Sequence, residues 1–284
     1  MMWMALVLFY GLAKGFREVI KKKSLEKNTI IEVLFFYTLI SFLMVTPDVE
    51  NAWGITWEQC GFTALKSLII FMAWLFSFKA IQQLPISYYG ILDLSRVLFA
   101  TLLGVLILGE VMSYYQIAGL AMVMLGLLLL RFRGNSHRET DQERVEGKYV
   151  VMAFASSILN AVSGFMDKIL MREMNSSQLQ FWYMLFLVLF YTIYILVTRT
   201  RIRFGKLIRN YWIYALSLLF VLADRALFIA NGMESSRITV MTLIKQSGCI
   251  VTILAGRVLY KEKNIAYKSF CAAVIIAGIV IAVI

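Results

Sequence analysis

Histidine, proline and cysteine are scarce in this chain, and charge is thin for its length. Its 284 residues include one histidine, His137, with two prolines and three cysteines. A lone histidine in a polar loop leaves metal-assisted or acid–base chemistry with few candidates. Cys60, Cys249 and Cys271 form neither a CxxC pair nor a cluster, so neither a disulfide framework nor a metal site is supported. HExxH, GxSxG and P-loop motifs are missing. Catalytic residues, cofactors and metals are therefore expected to be none. Charged residues make up 16% of the chain, whereas soluble domains carry roughly a quarter. The shortage excludes an ordinary soluble domain.

What the chain has instead is apolar length. Hydrophobic residues are 61% of the sequence, gathered in blocks of about 20 that match a hydrocarbon core of ~30 Å. The class is an all-α polytopic membrane protein. Ten spans are expected, at about 3–20, 29–46, 61–83, 87–108, 114–132, 149–171, 178–198, 211–232, 238–259 and 266–284. The charges follow the first apolar stretch, so it reads as a span and not as a cleavable signal. The one long hydrophilic connection, 133–148, separates 1–132 from 149–284, five spans each. Because five is odd, the second set enters the membrane inverted, the arrangement of many secondary transporters with a midplane site between repeats.

A register offset of 152 supports the repeat. Residues 80–130 align without a gap on 232–282, pairing Ile86 with Ile238, Ser95 with Ser247, Leu102 with Leu254 and Gly104 with Gly256. Glu110 also meets Glu262, Tyr115 meets Tyr267, Ala121 meets Ala273 and Gly126 meets Gly278. At a different offset, Gly15-Phe16 with Glu18 resembles Gly164-Phe165 with Asp167.

Net charge is +11, yet this does not point to nucleic acid. Basic residues concentrate in odd-numbered connections, with Lys21-Lys22-Lys23 and Lys27 in the first and Arg199, Arg201, Arg203, Lys206 and Arg209 in the seventh. The positive-inside rule then puts those connections in the cytoplasm and both termini outside.

These residues carry a family likeness. The stretch Ala80-Ile81-Gln82-Gln83-Leu84-Pro85-Ile86-Ser87 and the corner Leu106-Ile107-Leu108-Gly109-Glu110, followed by Gln116, Gly119 and Gly126, resemble the drug/metabolite transporter superfamily. The likeness is to its ten-span EamA-type members, built from two inverted five-span repeats. The second half keeps Glu262 and Gly278 but has Cys271 where glycine is usual. The proline often found early in the fourth and ninth spans is missing from both copies here. The resemblance implies alternating access around a cavity formed by the first, third and fourth spans and their repeat mates. It also implies a bacterial cytoplasmic (inner) membrane location, and it draws both termini in the cytoplasm, against the charge count. Expected partners are a small-molecule substrate and the lipid bilayer, with a homodimer left open.

Charges inside spans cost several kcal/mol unless paired or wetted, so each is a functional candidate. Asp93 and Lys245 share one repeat position, six residues after Ser87 and Thr239. They enter from opposite faces, so each comes to roughly 6 Å from the midplane. They read as substrate ligands or, with Arg96 one turn after Asp93, as a structural charge set. Asp224 and Arg225 are neighbours in the eighth span, pointing about 100° apart. They stand as a proton-coupling site or as buried charges that each need another partner. Asn160 and Asn231 are milder polar candidates. Lys14, Arg17 and Glu18, Asp167 with Lys168, and Lys66 lie toward span ends, where snorkelling competes with function. Lys14 is the best of these. Gly11 and Gly15 offer a small-xxx-small packing face. Trp74, Tyr88 and Tyr89 fit a cavity wall or, for the tyrosines, an interfacial belt. Glu110 and Glu262 read as helix-corner elements. The favoured function is a secondary transporter of a small polar solute, anionic or zwitterionic and amino-acid-like. The alternatives are a flippase for a lipid-linked substrate and a membrane-embedded binding protein or enzyme.

Overall fold

The computed structural model describes residues 2–99, 113–134, 146–233, 241 and 244–283, and among them the chain is helical with no strand. In chain order the helices are α1 (Met2–Ser24), α2 (Ile30–Val45), α3 (Trp57–Gln83), α4 (Ile86–Asp93), α5 (Tyr114–Gly134) and α6 (Gly147–Leu170). Then come α7 (Ser176–Thr198), α8 (Phe204–Ile208), α9 (Tyr211–Asn231), α10 (Gly248–Val258) and α11 (Ile265–Val283). Local chemistry sets the boundaries. Capping boxes start α2 at Thr29 with Glu32, α3 at Thr56 with Gln59, and α7 at Asn175 with Gln178, each pairing orphan donors reciprocally. Pro85, which has no N–H to donate, separates α3 from α4. Arg199, at φ 50°, closes α7 with a left-handed residue.

Among the described residues, five segments are long and apolar enough to cross a membrane: Ile30–Ala52, Trp57–Gln83, Gly147–Asp167, Ser176–Thr198 and Tyr211–Asn231. Shorter apolar helices cover Ile117–Leu130, Gly248–Val258 and Ile265–Ile281. The first expected span is a helix but a charged one, because Lys14, Arg17, Glu18 and Lys21 interrupt its apolar run.

Other differences from the sequence reading have local causes. Helix α1 runs on to Ser24, with Lys21, Lys22 and Lys23 in its last turn, where cations suit the negative end of the helix dipole. Helix α2 continues as a 3-10 turn over Thr46–Ala52, and α8 adds a short helix inside the seventh connection. The fourth and ninth expected spans are each broken, at residues 94–95 and 246–247. These breaks are offset by the same 152. Around both, hydrogen bonds shorten to three residues, as in Ser95 N to Leu92 O at 3.0 Å and Ser247 N to Ile244 O at 3.1 Å. The Glu110 corner lies outside the described residues.

Each half packs against the other helix by helix: α1 on α9, α3 on α6, α2 on α7, α4 on α10 and α5 on α11. Repeat-related glycines sit in the last crossing. A Cβ at Gly278 would lie 2.7 Å from Gly119 O and 3.0 Å from Val123 N, and one at Gly126 would lie 3.2 Å from Cys271 O. Only glycine permits that approach.

Connections sort into two ends of the bundle. Arg203, in the seventh, donates to Glu32 at the end of the first at 2.9 Å. Lys22 reaches Leu84 O in the third and lies 5.3 Å from the Tyr260 ring in the ninth. At the other end Asn175 and Gln178 donate to Asn51 O and Trp53 O, at 3.3 and 2.9 Å, joining the sixth connection to the second. The basic clusters lie at the first end.

Candidate functional site

Helix α1 is built inside out. Tyr10, Lys14, Arg17, Glu18 and Lys21 follow helical spacing along one face, and Lys14, Arg17, Glu18 and Lys21 are all buried. Leu8, Phe9, Leu12 and Phe16 form the opposite face and are exposed. A helix in lipid turns its apolar side outward and its charges to the bundle interior. This corrects the snorkelling reading of Lys14, Arg17 and Glu18. Their side chains point inward and find partners.

Asp93, at the end of α4, binds two cations. Lys14 Nζ donates to Oδ2, and Arg96 donates to Oδ1 at 3.0 Å from just beyond the helix break. Lys21 clasps both oxygens of Glu18 at 2.8 and 2.9 Å. Arg17 holds Asp224 of α9 at 3.0 Å, its guanidinium 4.5 Å from the centre of the Phe220 ring. Lys66, also read as snorkelling, is in fact 2% exposed. It lies 3.0 Å from Asp167 Oδ1 of α6 and 3.6 Å from the Tyr183 ring centre. That oxygen accepts no aligned hydrogen bond, so the Lys66–Asp167 contact is ionic. The side chain of Lys168 lies outside the described residues.

Lys245 stands just before the break in the ninth span. Among the described residues no carboxylate comes within ion-pair distance of it. Its ammonium lies 6.0 Å from the Tyr10 ring centre, at the outer limit of a cation–π contact. Lys14, Glu18, Tyr89, Asp93, Lys245, Cys249 and Thr252 line one crevice between α1, α4 and α10. Its cavity volume is about 10 Å³, close to what one water needs. The crevice is narrow.

The remaining candidates fall at measurable places. Tyr89 lines the crevice and shares a 2.7 Å hydrogen bond with Ser77. Tyr88 is buried within the bundle, not set at an interface. Trp74 does not reach the crevice: it packs 5.2 Å from the rings of both Tyr37 and Phe220, behind Arg17. Asp224 and Arg225 diverge as their spacing requires. Asp224 turns to Arg17, while Arg225 turns away to Asp48, Ser177 and Gln180 near the 3-10 turn. Asn160 bonds back to Ser156 O in its own helix at 2.8 Å. Glu262 accepts from Ile86 N at 2.6 Å, from Ser87 N at 3.4 Å and from Ser87 Oγ, and pairs with Lys268 at 3.1 Å. It therefore caps the start of α4 from the far half of the chain. Tyr10 escaped the sequence reading. Its spacing of four before Lys14 and seven before Arg17 was the available signal.

The sequence profile of the EamA-like transporter family matches residues 1–132 and again residues 147–284. The chain belongs to this family. As an EamA-like protein it is an integral membrane protein of a transporter family. It is 34% identical over 96 residues to a protein of Bacillus subtilis (strain 168) described as the uncharacterized transporter YwfM. That match spans 32% of this chain and 32% of the relative's length, so it covers about a third of each. A crystal structure at 12% identity superimposes with a TM-score of 0.64 over 99% of this EamA-like chain and 96% of its own. This is a likeness of fold alone.

Proposed function

We propose that this protein is a secondary active transporter that moves a small polar metabolite by alternating access. Ten spans form two inverted five-helix repeats, 1–132 and 149–284, joined by 133–148. The solute site is the crevice where α1 meets the two broken helices. Lys14, Asp93, Arg96, Lys245 and Tyr89 form it, and Asp224, paired with Arg17, is the carboxylate that carries a proton if transport is coupled. The basic end of the bundle faces the cytoplasm of a bacterial cell.

One observation carries this reading. Gly15 and its counterpart Gly164 hold the same place in the two repeats but meet opposite surroundings. A Cβ at Gly15 would fall 2.9 Å from Gly248 Cα and 2.7 Å from Val251 Cβ, so the α1–α10 seam is shut. A Cβ at Gly164 would meet no described residue within 4 Å. Inverted repeats that switch states need this asymmetry, one seam closed while its counterpart is open.

The test is counterflow in proteoliposomes preloaded with candidate solutes, with Lys14→Met and Asp93→Asn alongside. Transport predicts exchange of labelled solute in the wild type and its loss in both variants. Binding to the purified protein with no exchange across the membrane would replace the transporter with a binding protein. Scrambling of a labelled lipid would favour a flippase.

A further inference from the structure

The charges around the crevice do not balance. Six cations, Lys14, Arg17, Lys21 and Lys66 buried and Arg96 and Lys245 half-buried, face four carboxylates, Glu18, Asp93, Asp167 and Asp224, among the described residues. Every one of the four already holds a cation, and Asp93 holds two. Lys245 lines the crevice together with Lys14, and the two acids in that lining, Glu18 and Asp93, are already held, Glu18 by Lys21 and Asp93 by Lys14 and Arg96. The Nε atoms of Arg96 and Arg17 are also buried donors without a hydrogen-bond partner among the described residues. A buried cation beside other cations is unfavourable until an anion arrives.

A zwitterion would not repair this. It leaves the surplus of positive charge unchanged, and its ammonium would need a carboxylate that Lys14, Arg17, Lys21, Lys66 or Arg96 already occupies. A solute with net negative charge lowers the surplus and supplies the missing acceptors. Resting on the transport reading above, we infer that the solute is a net anion whose carboxylate or other oxyanion group docks on the Lys245 ammonium. Lys245 thus sets the sign of the charge accepted. It is the position where the first repeat has Asp93, so the two repeats place opposite charges at one site, and among the described residues only the second is left without an ion-pair partner.

The test uses the full-length protein in detergent, as wild type and as Lys245→Met, Lys245→Arg and Lys245→Glu. Melting temperature is read alone and with succinate, inorganic phosphate, alanine, putrescine or short-chain phosphatidylglycerol. A ligand of the native state raises the melting temperature by mass action. The inference expects succinate or phosphate to stabilise the wild type, alanine and putrescine to fail, and affinity to fall about thirtyfold or more in Lys245→Met. Lys245→Arg should keep binding, and Lys245→Glu should lose it. Phosphatidylglycerol acting where the soluble anions do not would assign the oxyanion to a lipid headgroup. Without ligand, Lys245→Met should melt higher than the wild type, because it removes an uncompensated half-buried cation. A lower melting temperature would overturn the inference with no ligand involved. Stabilisation by alanine or putrescine overturns the anion and leaves the transporter standing. Anion binding that survives Lys245→Met removes Lys245 from the site. No shift from any class would take down both readings together.

Discussion

Placing one methyl group at two repeat-related positions should have opposite consequences. At Gly15 the added carbon of alanine lies 2.7 Å from Val251 Cβ and 2.9 Å from Gly248 Cα. Carbon atoms rest at about 3.5–4.0 Å, so α1 and α10 must separate by about 1 Å. The obstacle includes backbone, which cannot rotate aside. Overpacking of this kind costs ~1–3 kcal/mol, offset by ~0.8–1 kcal/mol from replacing a helical glycine with alanine. The net effect of Gly15→Ala is destabilisation by up to ~2 kcal/mol. At Gly164 the new carbon meets no described residue within 4 Å, leaving only the helix gain of up to ~1 kcal/mol. Thermal unfolding in detergent, at roughly 2–4 °C per kcal/mol, should place Gly164→Ala several degrees above Gly15→Ala. Cys249, buried beside the seam, gives a second readout. In a Cys60→Ser background, Gly15→Ala should speed its reaction with a thiol reagent and Gly164→Ala should not. Equal shifts in both variants, or greater damage at Gly164, would refute the reading of one shut and one open seam.

Further outcomes follow from the pairs. Lys66→Met or Asp167→Asn alone should cost ~3–5 kcal/mol, since each strands a buried charge, while the double variant should recover most of it; a double-mutant cycle measures the difference. Glu262→Gln should lower stability by ~1–2 kcal/mol, because it weakens the cap on α4; an unchanged melting temperature would mean that the cap is idle. Trp74→Leu should melt lower yet bind solute with unchanged affinity, since Trp74 packs behind Arg17 and away from the crevice. A weakened affinity in a titration of that variant would bring Trp74 back to the site.

Much of the fold was readable because lipid imposes simple rules. Apolar blocks of span length, the 152-residue offset and the Gly11/Gly15 face all emerge from sequence, and both glycines do meet the broken ninth span, Gly11 against Ile244 O and Lys245 O before the break and Gly15 against Gly248 after it. The helix breaks were not read, since without proline nothing in Leu94-Ser95 or Gln246-Ser247 marks a turn. Their regular apolar surroundings promise an unbroken helix. The direction of the α1 charges was also missed. Residues near a span's end look the same whether they snorkel or turn inward, and only the leucine and phenylalanine face opposite Lys14 and Arg17 separates the cases. Partner identity lay further out of reach. Arg17 with Asp224 and Lys66 with Asp167 are separated by most of a repeat or more, and no local spacing predicts them.

The cap on α4 also has a consequence for synthesis. Ser87 and Glu262 are 175 residues apart, so the first half leaves the ribosome long before the carboxylate that finishes one of its helices exists. At ~5–20 residues per second, the start of α4 waits roughly 10–35 s, its N–H groups served by water or lipid headgroups. Insertion of the first five helices is therefore provisional. The hairpin of α10 and α11 is the one that fastens the fourth helix, and a chain truncated before it should be an easy target for membrane proteases.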